Sequence, residues 1–231
     1  MSGRAEPARL DPSGSHPLKG RRLVVMARWP APGRCKRRLA VVLGDQRAAR
    51  VQQRLTAHDL EVARIACAAS AAELVLATSG LGAGAARRWG QDQAVDRVVP
   101  QGNGSLGLRL QRQVVRARRE RIGQLVLIGS DLPELEPRDL VAAFRVLERG
   151  TPLVLGPATD GGYWLIGIDL RPRPAARCGM RLFAGSSAAI DWGSAKVLQQ
   201  TLEAAASENL AVWELGRRSD LDRPGDLKRW R

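Results

Sequence analysis

QLVLIGSD, residues 124 to 131, runs apolar without alternation until it ends in Gly-Ser-Asp. A strand with one wet face alternates polar and apolar residues, so an unbroken run suits a strand covered by helices on both sides. Working outward, similar short runs recur at RLVVMAR (22 to 28), ELVLAT (73 to 78), VDRVV (95 to 99) and PLVLGPA (152 to 158). Helical patterns lie between them, at about 46 to 70, 83 to 90, 105 to 122 and 137 to 149. Alternating strand and helix predicts one Rossmann-like α/β domain, a mostly parallel sheet with helices on both faces. YWLIGI (163 to 168) follows the preceding run closely enough to pair with it as an antiparallel strand. Past it come a loop-like stretch over 171 to 193, a helix near 194 to 207 and a short strand near 210 to 215. Residues 1 to 20, rich in Pro, Gly, Ser and charge, read as a disordered extension ahead of a domain over 21 to 231.

The formal net charge of +14 first suggests a polyanion partner. Yet the cations are almost all arginine, spread end to end and not interleaved with aromatic residues, which argues against nucleic acid and for a smaller anionic ligand. Cys35, Cys67 and Cys178 form no C-x-x-C pair and have no histidine at ligand spacing, so neither zinc nor a disulfide framework is expected, and a reducing cytoplasm is. His58 sits inside a helical pattern, where a packing role is the simpler reading. No run approaches the roughly 20 apolar residues of a membrane span.

In open α/β sheets ligands bind at the carboxyl ends of strands, so the polar turns there hold the candidate site. The first, ARWPAPGRCKRRL (27 to 39), puts Pro32 and Gly33 ahead of Arg34, Lys36 and Arg38; glycine-turn N–H groups and nearby cations bind phosphate, though a proline-stiffened turn with a solvated basic face fits equally. It is neither a P-loop nor G-x-G-x-x-G. The second, QGNGSLGLRL (101 to 110), has Gly104, Leu106, Gly107 and Arg109 around Ser105, a plausible N-cap, and glycines there let a nucleotide approach the backbone. In the third, IGSDLPEL (128 to 135), Asp131 stands where one carboxylate can hold Mg²⁺ or Mn²⁺ carried by a ligand's phosphates, or else caps a helix. The fourth, GPATDGGYWLIGI (156 to 168), places Asp160, Gly161 and Gly162 before Tyr163 and Trp164, whose rings must point to opposite faces. Only one of the two can face a cleft. In the fifth, SDLDRPGDL (219 to 227), Asp220 and Asp222 project the same way if extended, and Pro224 opens a short helix; a metal contact and a cap are both open.

Together PAPGRCKRRL, LGLR, IGSDLP, GPATDGGYWLIGI, IDWGSAKVL and DLDRPGDL, spanning about 22 to 228, resemble bacterial glycosyltransferase-like proteins of arsenosugar biosynthesis. That family has the nucleotide-diphosphosugar transferase fold (glycosyltransferase type A) and is related to molybdopterin and 2-phospho-lactate guanylyltransferases. The chain departs from the usual Lys-Thr-Arg-Leu with Lys36-Arg37-Arg38-Leu39, and carries Gly225 where an acid is usual.

The resemblance implies glycosyl transfer from a nucleotide-activated sugar to a small acceptor. Pro32, Gly33, Arg34, Lys36, Arg38, Gly104, Leu106, Gly107 and Arg109 would bind the nucleotide and its phosphates, and Asp131 with Asp222 would hold Mg²⁺ or Mn²⁺. Asp160 and Asp131 would be catalytic, and Gly161, Gly162, Tyr163 and Trp164 would meet the acceptor. A nucleotidyltransferase releasing pyrophosphate, and a non-catalytic nucleotide-binding protein, are the alternatives.

Overall fold

The computed structural model describes residues 20–171, 183 and 190–229. The 1–20 extension therefore lies, but for Gly20, outside the described residues, as do Cys178 and most of the loop-like stretch. Seven strands form one sheet: β1 (Arg21–Arg28), β2 (Ala72–Ser79), β3 (Arg97–Pro100), β4 (Gln124–Ile128), β5 (Leu153–Pro157), β6 (Tyr163–Asp169) and β7 (Val212–Glu214). Their order is β3-β2-β1-β4-β6-β5-β7. All pairs are parallel except those of β6, which runs antiparallel between β4 and β5. The expected antiparallel strand is thus present, and it is the hairpin partner of β5.

Among the described residues the α-helices are α1 (Arg37–Leu43), α2 (Asp45–Ser70), α3 (Ala83–Asp92), α4 (Leu106–Arg119), α5 (Pro137–Glu148) and α6 (Val197–Ser207). Successive strand residues face opposite sides, so each strand feeds two cores. Leu23, Val25, Leu74, Leu76, Val126 and Ile128 pack with Ala63 of α2, Trp89 of α3 and Phe144 of α5. Val24, Val75, Leu125, Leu127, Leu155 and Ile166 face the other way, toward Leu110 and Val114 of α4 and Ala205 of α6. Both faces of the central strands are therefore dry, which is why QLVLI shows no alternation; all five of its residues are buried.

Two sequence signals set the element ends. Ser105 caps α4, its Oγ accepting from the Leu108 N–H, which satisfies one of the donors a helix start leaves open. α5 begins at Pro137 with a capping box, the Glu136 and Asp139 side chains each accepting from the other's backbone N–H. The carboxyl ends of β1 through β5 lie at one edge of the sheet, and β6 starts there. A third, smaller core lies beside that edge, where Leu221 is fully buried against Leu39 of α1 and Ala48 and Leu55 of α2.

Candidate active site

A continuous groove follows that edge. Its central compartment, about 680 Å³, is lined by Arg28, Arg34, Lys36, Arg37, Arg38, Arg109 and Asp131. One side opens into a compartment of about 650 Å³ around Trp29, Ser79, Gly102 and Asn103. The opposite side opens into one of about 460 Å³ around Asp131, Asp160, Asp220, Trp192 and Arg223. Cations thus crowd the middle and carboxylates one end.

The carboxylate end is built around Leu221. That side chain is buried beside α1, while its neighbours line the groove, Asp222 the central compartment and Asp220 the carboxylate end. The Leu221 N–H donates to the Asp131 carbonyl at 3.0 Å, and Lys36 Nζ donates to the Leu221 carbonyl at 2.5 Å. The same ammonium stands 2.7 Å from Asp131 Oδ1. Lys36, one of the most buried cations, therefore clasps three turns together, and it does so from a left-handed conformation, φ 48°. A non-glycine residue held there costs about 1 kcal/mol or more and persists only when its surroundings enforce it.

From below, α2 holds the Asp131 turn. Gln52 Nε2 donates to the Ser130 carbonyl at 2.9 Å, and the Leu132 N–H donates to Asp59 Oδ2 at 3.2 Å. Gln52 and Asp59, two turns apart on one helix face, are both buried. Burial pushes the Asp59 carboxyl well above its ordinary range, and the nearby Asp131 charge adds to this. Their polar character inside an apolar pattern is a signal that sequence reading passed over, as it did for Gln101. That buried amide donates to the Ala27 and Ala77 carbonyls and accepts from Arg109, tying β1, β2 and α4 at the groove floor.

The sequence-predicted residues fall into three groups. Arg34, Lys36, Arg38, Leu106, Arg109 and Asp131 line the central compartment with Asp222; Gly33 lines the Trp29 side; Asp160 and Gly162 line the carboxylate end. Asp222 is engaged by Arg38, Nη1 to Oδ2 at 2.5 Å. Asp220 instead faces the acids: burial raises its pKa, and the charges of Asp160 and Asp131 raise it further against the opposing Lys36.

Of the remaining residues, Tyr163 and Trp164 also line the central compartment and the carboxylate end, and the others line none of the three. Pro32 is exposed and lines none of the three compartments. Gly107 lies under Trp192, where a Cβ would come within 2.4 Å of the indole nitrogen, and a Cβ on Gly104 would meet Leu108 at 2.9 Å. Gly161, at φ 91°, turns beneath the Ala195 carbonyl, which a Cβ would approach to 2.1 Å. Asp160 Oδ1 accepts from the Gly162 N–H at 2.9 Å, fixing the D-G-G corner.

Tyr163 and Trp164 do point to opposite faces, Tyr163 packing with one core and Trp164 with the other, and a bulge falls between them and β5: Pro157 pairs with Tyr163 and Gly156 with Leu165, leaving Trp164 as the extra residue. Its indole lies in the core over Gly156, donates to the Gly216 carbonyl at 3.3 Å and sits under the Arg218 guanidinium. Tyr163 borders the groove with its phenol buried, which raises its pKa. The aromatic residue that sequence reading missed at this end is Trp192, edged by Phe183 at 5.9 Å between centroids.

A sequence profile described as "Uncharacterized protein conserved in bacteria" (DUF2064) matches residues 61–193, more than half of the chain. The chain belongs to that family. No curated protein matches its sequence. Among solved structures it is similar to a candidate nucleotide-diphospho-sugar transferase from Desulfovibrio desulfuricans G20, with 26% identity, TM-score 0.71, and coverage of 87% of this chain and 81% of that one. It also resembles Rv0371c from Mycobacterium tuberculosis H37Rv, at 22% identity and TM-score 0.53 over 91% and 97% of the two chains, a protein also solved in complex with manganese. A third likeness, at 14% identity and TM-score 0.52 over 91% and 96%, is to CMP:2-keto-3-deoxy-manno-octonic acid synthetase complexed with CTP. The fold is that of nucleotide-diphosphosugar transferases and cytidylyltransferases.

Proposed function

We propose that this DUF2064 member transfers a glycosyl group from a nucleotide-activated sugar to a small acceptor. One observation carries the reading: a single groove at the carboxyl edge has arginines in its middle and Asp131, Asp160 and Asp220 grouped at one end. Diphosphate oxygens would lie against Arg28, Arg34 and Arg37, where preorganised cations stabilise the charge that develops on a departing nucleoside diphosphate. The similarity at 26% identity to the Desulfovibrio protein supports sugar transfer.

A divalent cation at the carboxylate end would rest on two carboxylates and the substrate's phosphates, since no three ligating side chains cluster among the described residues. Magnesium is commonly held in that way, and burial, with the charges of Asp160 and Asp131, raises the pKa of Asp220 there. Asp131 and Asp220 are the carboxylates that would hold it, while Asp222 stays with Arg38. When bound, the metal supplies Lewis-acid stabilisation of the leaving diphosphate. Asp160, exposed at the hairpin corner with its Oδ1 accepting from the Gly162 N–H, would take the acceptor's hydroxyl proton. Tyr163 and Trp192 border the space for that acceptor.

Nucleotidyl transfer is the second reading, favoured by the number of arginines beside the central compartment, enough for a triphosphate. Incubation with nucleotide sugars, nucleoside triphosphates and Mn²⁺ separates the two: sugar transfer releases nucleoside diphosphate, nucleotidyl transfer releases pyrophosphate. Sugar-nucleotide turnover without nucleoside diphosphate release would overturn the first reading. Participation in arsenosugar biosynthesis rests on the motif resemblance, and deletion of the gene in an arsenosugar-producing host should then abolish those products.

A further inference from the structure

The compartment opposite the carboxylates has no part in the chemistry above. Its ring is Trp29, which follows β1 directly and is 36% exposed. The rest of the indole is packed: it meets the buried Trp89 edge to face, centroids 5.1 Å apart and planes at 84°. On the backbone, the Trp29 N–H donates to the Ser79 carbonyl at 2.9 Å, and its own carbonyl accepts from the Ala31 N–H. Beside the ring, Ser79 Oγ is buried and meets no protein partner. Asn103 adds an exposed amide on the far wall. Arg28, Arg34 and Arg37 line both this compartment and the central one, so a ligand with its phosphates on those arginines can extend its other end to Trp29.

We infer that Trp29 is the stacking platform for the nucleobase of the nucleotide substrate, with the Ser79 hydroxyl and the Asn103 amide reading the base edge. The inference rests on the nucleotide reading of the groove and assigns its direction: base at Trp29, phosphates on the arginines, reacting end at the carboxylates. A flat ring already fixed by a second ring costs little entropy to use, and any base can stack on it. A buried hydroxyl without a partner gains a hydrogen bond only when a polar edge arrives.

The test compares four nucleoside triphosphates with inorganic tripolyphosphate, each with Mg²⁺, by calorimetry on wild type, Trp29→Leu, Trp29→Phe and Ser79→Ala. Trp29→Leu keeps an apolar contact to Trp89 without the aromatic face. It should weaken the best-bound nucleotide about tenfold or more, while tripolyphosphate affinity stays within twofold. Trp29→Phe should recover most of the loss. Ser79→Ala should narrow the affinity differences among the four bases. Nucleotide binding that is undiminished in Trp29→Leu would overturn the platform while leaving the nucleotide reading standing. Wild-type protein that binds tripolyphosphate as tightly as every nucleotide would show that no base is recognised. If it binds neither, the functional reading fails and this one with it.

Discussion

Asp220 and Asp222 flank the buried Leu221, yet they meet different surroundings. Asp222 lies against Arg38, a pair exposed enough to be screened and worth little to stability. Asp220 is drawn toward Asp160 and Asp131, and burial with those charges raises its pKa. The folded protein then keeps a proton that the unfolded chain releases near pH 3.9. Stability therefore falls as pH rises from that value through the raised one, and the cost is fully present above it. Asp220→Asn should remove the cost: its melting temperature at pH 7 should equal or exceed that of wild type, with a flatter pH profile above pH 4. Under the proposed metal role catalysis needs the ionised group, so the same substitution should lower turnover about 100-fold, against less than about fivefold for Asp222→Asn. Steady-state rates and melting curves of the two variants check both statements, and equal losses would return the metal role to Asp222. The spacing alone left the two aspartates alike, and the motif resemblance assigned the metal to Asp222. What separates them is Leu221's burial in the α1–α2 core and Arg38's reach across 184 positions, neither of which leaves a local signature.

At the scale of elements, the β5–β6 hairpin shows how a corner positions an acid. Gly161 adopts φ 91° and passes under the Ala195 carbonyl, whereas Gly162 has ordinary φ and only the Asp160 carboxylate 3.2 Å from a notional Cβ. The two glycines of D-G-G are thus unequal. Gly161→Ala combines an unfavourable backbone conformation with a clash against backbone, and should destabilise by about 2–3 kcal/mol. It should also push residues 190–196 away from the groove, raising KM for the acceptor. Gly162→Ala asks only for a small shift of a side chain and should cost less than about 1 kcal/mol. Urea denaturation of both variants measures the difference, and similar midpoints would refute it. The strands, α2, α4 and α5 were legible because their cause is local: apolar periodicity, Ser105 as a cap and Pro137 at the first helical position. The bulge at Trp164 was not, since it depends on a glycine in the facing strand making room for an indole. Nor were Gln52, Asp59 and Gln101, which each hydrogen-bond a turn or strand 24 to 78 positions away.

For the whole molecule, the net charge of +14 becomes meaningful once its members are sorted by what they face. Many arginines are committed to ion pairs: Arg22 is shared between Glu73 and Glu120, Arg97 joins the same two acids, and Arg218 holds Asp139. Arg28 and Arg34 sit along the groove, and Arg37 joins them at the start of α1. Like charges held together on one wall repel, and an anion bridging them relieves that cost while binding only the folded state. A nucleotide at a hundredfold excess over its Kd adds about 2.7 kcal/mol to stability, which for a domain of this size shifts Tm by about 5–10 °C. Because the attraction acts through partly exposed cations, the shift should shrink by half or more between 50 and 500 mM NaCl as the Debye length falls. Removing the metal with EDTA should reduce it further in wild type and leave it unchanged in an Asp131→Asn, Asp220→Asn double variant. Thermal melts with nucleotide sugars across those salts decide the matter. A shift indifferent to salt would mean that the groove grips its ligand through shape and stacking at the Trp29 end, and that the arginine wall serves solubility instead.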